Sequence, residues 1–230
     1  MIRAVVVDVD DTLCLTEAAC FDLENQVLAR LGSAPMTRQV HLATWGLPLR
    51  EAISLRSPGV DVDAFTAEFN DVFEGHLRSG LVDVIPDENL RALDRLVAAG
   101  RTVMILTSRT LAEVGHLLDP GHVLASRVSA AFHSDNTGFH KPDPRVFDEL
   151  IAATGLSPQQ CAYVGDSPGD AAAAKGAGLH FIACLQSGLR RREDFDAFGI
   201  DGFIDDFPDL PEALALLETA TGPAGRQLAP

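Results

Sequence analysis

The chain has 230 residues, 47% of them hydrophobic and 22% charged, and a formal net charge of −15. That is the composition of a globular protein long enough to bury a core. The acidic balance disfavours a nucleic-acid or anionic-membrane surface, because both need clustered Lys and Arg. Four cysteines, Cys14, Cys20, Cys161 and Cys184, stand without any Cys-x-x-Cys pair, which argues against a disulfide framework or a zinc site and for a reducing cytoplasm.

The first element is the apolar run Ala4-Val5-Val6-Val7, which reads as a buried strand of a parallel sheet. No basic-then-apolar leader precedes it and no apolar stretch is long enough for a bilayer, so a soluble cytoplasmic chain is expected. Asp8-Val9-Asp10-Asp11-Thr12 stands where this strand runs out. In open α/β sheets the reacting groups gather at the carboxyl ends of strands. Two carboxylates one residue apart repel unless a cation or a proton compensates, which points to a metal-assisted site. One Asp can then be a nucleophile and the other an acid or base. A strand followed by a polar turn is the simpler alternative.

Residues 15–83 carry no convincing strand. A first helix is expected from a Thr16 cap to Gly32, with Phe21, Val27, Leu28 and Leu31 apolar. Further helices are expected over 38–44, 49–56 and 62–78, with a return hinge at Gly80 and Pro86. This helical insert follows the first strand directly, where a lid belongs. Strands then recur at 102–106, 128–132, 162–164, 180–184 and, weakly, 202–204. Between them Leu90, Leu93, Leu96 and Val97 share one helical face, and so do Val146, Phe147, Leu150 and Ile151. Strands alternating with helices imply right-handed βαβ units and a doubly wound, Rossmann-like parallel sheet. The expected division is a catalytic core of 1–14 and 84–218, a helical cap of 15–83 and a flexible tail of 219–230.

Three later segments share the setting of the first. Thr107-Ser108-Arg109 follows the second strand, and its hydroxyls and backbone N–H groups suit either a phosphate oxygen or a helix cap. Lys141-Pro142-Asp143-Pro144 is stiffened by two prolines, which would aim the Lys141 ammonium at an anion, or simply start a helix. Gly165-Asp166-Ser167-Pro168-Gly169-Asp170 follows another strand, and Asp166 and Asp170 can face one side as a helix begins. Their hard oxygens suit Mg²⁺; a capping turn is the alternative. Arg190-Arg191-Arg192 reads as a solvated loop, with a substrate-phosphate contact as the minor alternative. His133 and His140 read as solvated loop residues.

In this order, each after an apolar strand, the four motifs resemble the haloacid dehalogenase superfamily, whose signature is Asp-x-Asp-x-Thr, then Thr or Ser, then Lys, then Gly-Asp-x-x-x-Asp. The insert resembles the type-1 helical cap of its phosphoglycolate phosphatase and β-phosphoglucomutase-like branch. The resemblance implies an Asp8 nucleophile that takes the phosphoryl group, and an Asp10 acid and base that Thr12 helps orient. It implies that Thr107 holds a phosphoryl oxygen, with Ser108 adjacent, and that Lys141 neutralises charge. It implies Mg²⁺ on Asp8, the Asp10 backbone carbonyl and Asp166, with Asp170 bound directly or indirectly. It also suggests a substrate-selecting cap loop, Trp45-Gly46-Leu47-Pro48-Leu49-Arg50, in which Gly46 turns the chain and Arg50 reaches an anionic group, although Trp45 in the cap core and Arg50 on its surface is an equal alternative.

The implied function is Mg²⁺-dependent hydrolysis of a small phosphate monoester by a monomer or homodimer. A β-phosphoglucomutase-like mutase keeps the same motifs. A 2-haloacid dehalogenase is disfavoured because such enzymes generally lack the second Asp, here Asp10. A phospho-receiver domain lacks the insert, and a non-catalytic phosphate-binding relative should have lost one of Asp8, Asp10, Lys141 or Asp166. Three departures stand out: Asp11 where Gly is frequent, Leu15 where Asp is common, and Ser108 where Asn is frequent.

Overall fold

The computed structural model describes residues 1–45, 47, 49–78, 81 and 83–221. Gly46 and Pro48 of the expected cap loop, the expected hinge residue Gly80 and residues 222–230 lie outside the described residues. The chain divides into two compact units, Met1–Cys14 with Ile85–Pro230, and Leu15–Val84.

In the first unit the apolar runs form six strands: β1 Ala4–Val7, β2 Thr102–Leu106, β3 Ala130–Phe132, β4 Cys161–Gly165, β5 His180–Cys184 and β6 Gly202–Ile204. They make one sheet in the order β3-β2-β1-β4-β5-β6, with every pairing parallel. Chain order reverses between β1 and β4, and an open α/β sheet has its ligand crevice at such a switch point. Register sets Val7 beside Ile105 on one side and Val164 on the other. The next residue of β1 therefore emerges between its neighbours' ends.

The pleat gives the sheet two apolar faces. Val5 and Val7 pack with Leu93 and Leu96 of a helix over Asp87–Ala98 and with Leu210 and Leu214 of a helix over Leu210–Thr221. Ala4 and Val6 point the other way, towards Leu150 in the helix Asp148–Thr154 and Ala171, Ala173 and Ala174 in the helix Pro168–Gly176. β1 is buried at every position on both faces, as a central parallel strand requires. Ala-rich packing on the second face lets its helix approach the sheet closely.

The second unit is all helical: Thr16–Arg30, Arg38–Ala43, Leu49–Arg56 and Val62–Arg78. Leu23, Val27, Leu28, Met36, Ile53, Phe65 and Val72 form its core. A buried ionic network crosses that core. Arg56 Nη1 lies 2.6 Å from Glu24 Oε1, and Arg56 Nε donates to Thr44 Oγ1 at 2.7 Å. His41 is fully buried between two carboxylates, with Nδ1 2.8 Å from Glu17 Oε1 and Nε2 3.4 Å from Glu24 Oε1. Phe21 and Trp45 flank the ring, with centroids 5.5 and 5.1 Å away.

Several local expectations are corrected. Leu15 occupies the first cap position without a side-chain bond, and Thr16 is already helical and buried. β3 begins at Ala130, two residues later than the run 128–132, and just before it the Ser129 N–H and hydroxyl both donate to the Val103 carbonyl. Val97 is 41% exposed, and Asn89 and Ala92 take its place on the buried face. The last helix runs to Thr221, so 219–221 are not tail. No helix of the described residues is long and apolar enough to cross a membrane.

Removing one member of a buried ion pair leaves the other charge uncompensated. Arg56→Ala is expected to cost about 3 kcal/mol on that basis, measured as a fall in the midpoint of urea unfolding. A loss near zero would show that Glu24 does not depend on Arg56.

Candidate active site

Asp8 is placed by β-sheet register. Its N–H donates to the Val164 carbonyl at 3.0 Å, tying the end of β1 to β4. Its Oδ1 accepts from Val9 N–H at 2.9 Å. The chain then turns back, and Leu13 and Cys14 N–H both donate to the Val9 carbonyl, at 3.1 and 2.9 Å. That turn places Asp11 at φ 55°, the left-handed region where Gly rests easily and Asp is one of few tolerated alternatives. Asn89 Nδ2 donates to the Leu13 carbonyl at 2.9 Å and pins the turn to its helix.

Lys141 joins the motifs. Its Nζ lies 3.0 Å from Asp8 Oδ1 and 2.7 Å from Asp170 Oδ1, and it donates to the Tyr163 hydroxyl at 3.1 Å. Tyr163 in turn donates to Asp170 Oδ1 at 2.9 Å. The other oxygen of Asp170 accepts from Ser167 N–H at 3.0 Å and Ser167 Oγ at 2.6 Å, a capping box at the helix start. The Lys141–Pro142 bond is cis, and Asp143 caps the next turn by accepting from Arg145 N–H at 2.9 Å. Gly165 explains itself: a Cβ there would lie 2.7 Å from Asp170 Cγ and 2.8 Å from its Oδ2.

Thr107 is buried at the end of β2, its N–H on the Phe132 carbonyl at 3.0 Å, and its Oγ1 accepts from Arg109 N–H at 3.2 Å. Ser108 beside it is exposed. Asp10 is engaged by Arg109, whose Nη2 donates to Oδ1 at 2.6 Å and whose Nε lies 3.1 Å from both oxygens. Thr12 is fully buried, and its hydroxyl makes no hydrogen bond among the described residues. Arg109 holds the Asp10 carboxylate, so any help from Thr12 in orienting Asp10 comes through the turn and not through a hydroxyl bond.

Other expected positions fall elsewhere. In the helical unit Arg50 is exposed and held by Asp63, Nη2 to Oδ1 2.5 Å, and by Thr66 Oγ1 at 3.2 Å. Arg192 lies over the Phe203 ring at 4.7 Å and pairs with Asp205 at 3.0 Å, the surface role. His140 is exposed, but His133 is not a solvated loop residue. It is 6% exposed at the end of β3, and its Nδ1 accepts from Asp135 N–H at 3.3 Å. Tyr163 and the Arg109 side chain were not singled out from sequence. The signals were a lone phenol in an apolar strand and a cation two residues past a strand-end Thr.

Comparison with known proteins places this geometry. The family described as haloacid dehalogenase-like hydrolase matches residues 5–184. The chain belongs to that family. It is 29% identical to the phosphoglycolate phosphatase of Rhodospirillum rubrum over 93% of this chain and 91% of the relative. In fold it is similar to a Thermotoga maritima structure bearing a β-phosphoglucomutase name, with TM-score 0.78, 19% identity, and 94% and 99% of the two chains covered. It is also similar to CbbY from Rhodobacter sphaeroides in complex with phosphate, with TM-score 0.68, 23% identity, and 99% and 100% covered. The chain is thus a haloacid dehalogenase-like hydrolase with a Rossmann-like core and an inserted helical cap.

The electrostatics of this hydrolase site are dominated by crowded, buried carboxylates. One carboxylate oxygen each from Asp8, Asp166 and Asp170 lie within 4.8 Å of one another. Burial pushes Asp8 up to about 7; Lys141 opposes that, and Asp170 and Asp10 add to it. Burial, then Asp170, Asp8 and Asp11, raise Asp166 well above the usual range. Burial works against the charge of Lys141, but Asp170 and Asp8 outweigh it and hold the ammonium firmly protonated. Burial also opposes ionisation of Asp170, and Lys141, Ser167 and Tyr163 overcome it. An all-oxygen set with surplus negative charge fits a hard divalent cation. Asp8 and Asp166 are best placed to bind one, because both oxygens of Asp170 are already engaged.

Two outcomes follow. Gly165→Ala drives a Cβ into Asp170 and is expected to cost about 1–3 kcal/mol, whereas Gly169→Ala, whose Cβ would meet only Ser167 Oγ at 3.6 Å, should leave the melting temperature unchanged or raise it. Equal effects would remove the packing account of Gly165. For Asp8, a folded-state value raised from 3.8 to about 7 means the folded chain holds this proton more tightly than the unfolded one. Its stabilising effect is present below about pH 4 and is lost as pH rises through 7. In metal-free protein, Asp8→Asn should therefore raise the melting temperature at pH 8 but not at pH 4; a fall at pH 8 would contradict this.

Proposed function

We propose that this enzyme is a Mg²⁺-dependent phosphatase that hydrolyses a small phosphate monoester through an aspartyl-phosphate on Asp8. The observation that carries the reading is Asp8 itself, a carboxylate buried at the end of the central strand with Lys141 Nζ at 3.0 Å and Asp10 two residues on. An Asp8 oxygen attacks phosphorus, the ester P–O bond breaks, and Asp10 gives its proton to the departing oxygen. A water then attacks the phosphoenzyme, Asp10 takes its proton, and the bond to Asp8 breaks to release inorganic phosphate.

Thr107 donates its hydroxyl to a phosphoryl oxygen, and Lys141 offsets charge on that group and on Asp8. Asp170, Tyr163 and Ser167 aim the Lys141 ammonium. Asp8, the Asp10 carbonyl and Asp166 would hold Mg²⁺, which supplies charge neutralisation when a phosphate dianion meets clustered carboxylates. The helical cap, residues 15–83, is assigned to substrate selection in a soluble, cytoplasmic monomer or homodimer. The curated relatives make 2-phosphoglycolate the first ester to try.

The test is phosphate release from a panel of monoesters, with and without Mg²⁺, by wild type and Asp8→Asn. Release that requires Mg²⁺ and falls at least a thousandfold in Asp8→Asn is expected, on the scale of losing a covalent nucleophile. Release undiminished in Asp8→Asn would remove the nucleophile assignment. Conversion of a sugar 1-phosphate to its 6-phosphate without phosphate release would establish a mutase instead.

A further inference from the structure

Arg109 is the residue of the site that the reaction above does not use. It is 11% exposed at its side chain and grips Asp10, which is 34% exposed at its own. Its Nε and Nη2 address both carboxylate oxygens. The backbone behind it is fixed: its N–H donates to Thr107 Oγ1, and its carbonyl accepts from Ser134 N–H at 2.9 Å and Ser134 Oγ at 3.0 Å. The guanidinium is therefore delivered on a rigid arm from the residue assigned to the phosphoryl group.

A carboxylate clasped in this way is badly placed for its proposed task. Its lone pairs point at guanidinium N–H groups, not at a leaving oxygen or a water. Arg keeps its charge, so a substrate anion that takes over the guanidinium would free the carboxylate. The transferred phosphoryl group is already provided for by Lys141 and Thr107. The replacement must therefore be a second anionic group on the same substrate.

We propose that Arg109 is a specificity and positioning residue, a latch that holds Asp10 until a carboxylate or phosphate elsewhere on the substrate takes over the guanidinium. This rests on the phosphatase reading and narrows its substrates to monoesters bearing a second anion. Recognition and release of the acid then become one event, and a neutral ester leaves Asp10 engaged.

The experiment pairs 2-phosphoglycolate with 2-hydroxyethyl phosphate, which keeps the two-carbon skeleton without the carboxylate. Wild type, Arg109→Ala and Arg109→Lys are compared, with melting curves to establish folding. Wild type is expected to favour the anionic ester at least tenfold in kcat/KM. Arg109→Ala should lose that preference by raising KM for the anionic ester and by raising kcat several-fold for the neutral one, which a merely structural role would not do. Arg109→Lys should recover part of the preference in KM.

Calorimetric binding of 3-phosphonopropionate against propylphosphonate reads the same contrast without turnover, so a failed phosphatase reading remains distinguishable from a failed latch. The latch is overturned if wild type binds both phosphonates alike, or if Arg109→Ala weakens both ligands and slows both esters by the same factor.

Discussion

The structure turns on one cation. Lys141 lies within 3.0 Å of Asp8 and 2.7 Å of Asp170, and without it three buried carboxylates would face one another across the ends of two adjacent strands. Burial already disfavours their charges, and their mutual repulsion in a region of low dielectric adds to that for Asp8 and Asp166. Much of the local architecture follows from aiming this ammonium. Tyr163 reaches out of β4 to it, Ser167 ties the far side of Asp170 to a helix start, and Gly165 leaves room for the carboxylate to approach. A buried pair of this kind is poor evidence for stability, since desolvation offsets its attraction. Its placement at the switch point of the sheet, where open α/β folds bind their ligands, is what makes it the candidate site.

The helical unit repeats the same physics with a different result. Arg56 and His41 meet Glu24 and Glu17 inside an apolar core, but there the charges have partners on nearly every side. That network joins three helices and carries Trp45 against His41. The acidic cluster of the first unit instead has three carboxylates around the single ammonium of Lys141, a balance that suits the cation proposed for it. Surplus charge at one place and paired charge at the other distinguish the candidate site from a structural network.

Most of the fold was legible because the strands are short, apolar and separated by amphipathic helices. Val5 and Val7 read as buried without any need to know which face they occupy, and parallel strands covered on both faces tolerate that ignorance. The errors came where periodicity is ambiguous. Val97 is one helical step past Leu96 and lies on the rim, and His133 is a polar residue whose burial depends on a loop closing over β3. Asp8, Thr107 and Asp166 could be located in advance, since each directly follows a strand whose register is determined by its apolar run, whereas Lys141 lies in a loop well past β3 and its position depends on the chain folding back. What sequence could not supply was pairing. The Arg109–Asp10 contact spans 99 residues, and nothing in either local sequence names the other.

Asp11 shows how far this chain has moved from the pattern it resembles. A Gly there would take φ 55° without strain, whereas an Asp costs on the order of 1 kcal/mol in backbone conformation. Asp11 is 2% exposed and adds its field to that which raises Asp166. A divalent cation held by Asp8 and Asp166 would reverse the sign of that electrostatic contribution, and the extra carboxylate would then favour the ion. The departure from Gly therefore fits the proposed cation, whose charge would offset the added carboxylate.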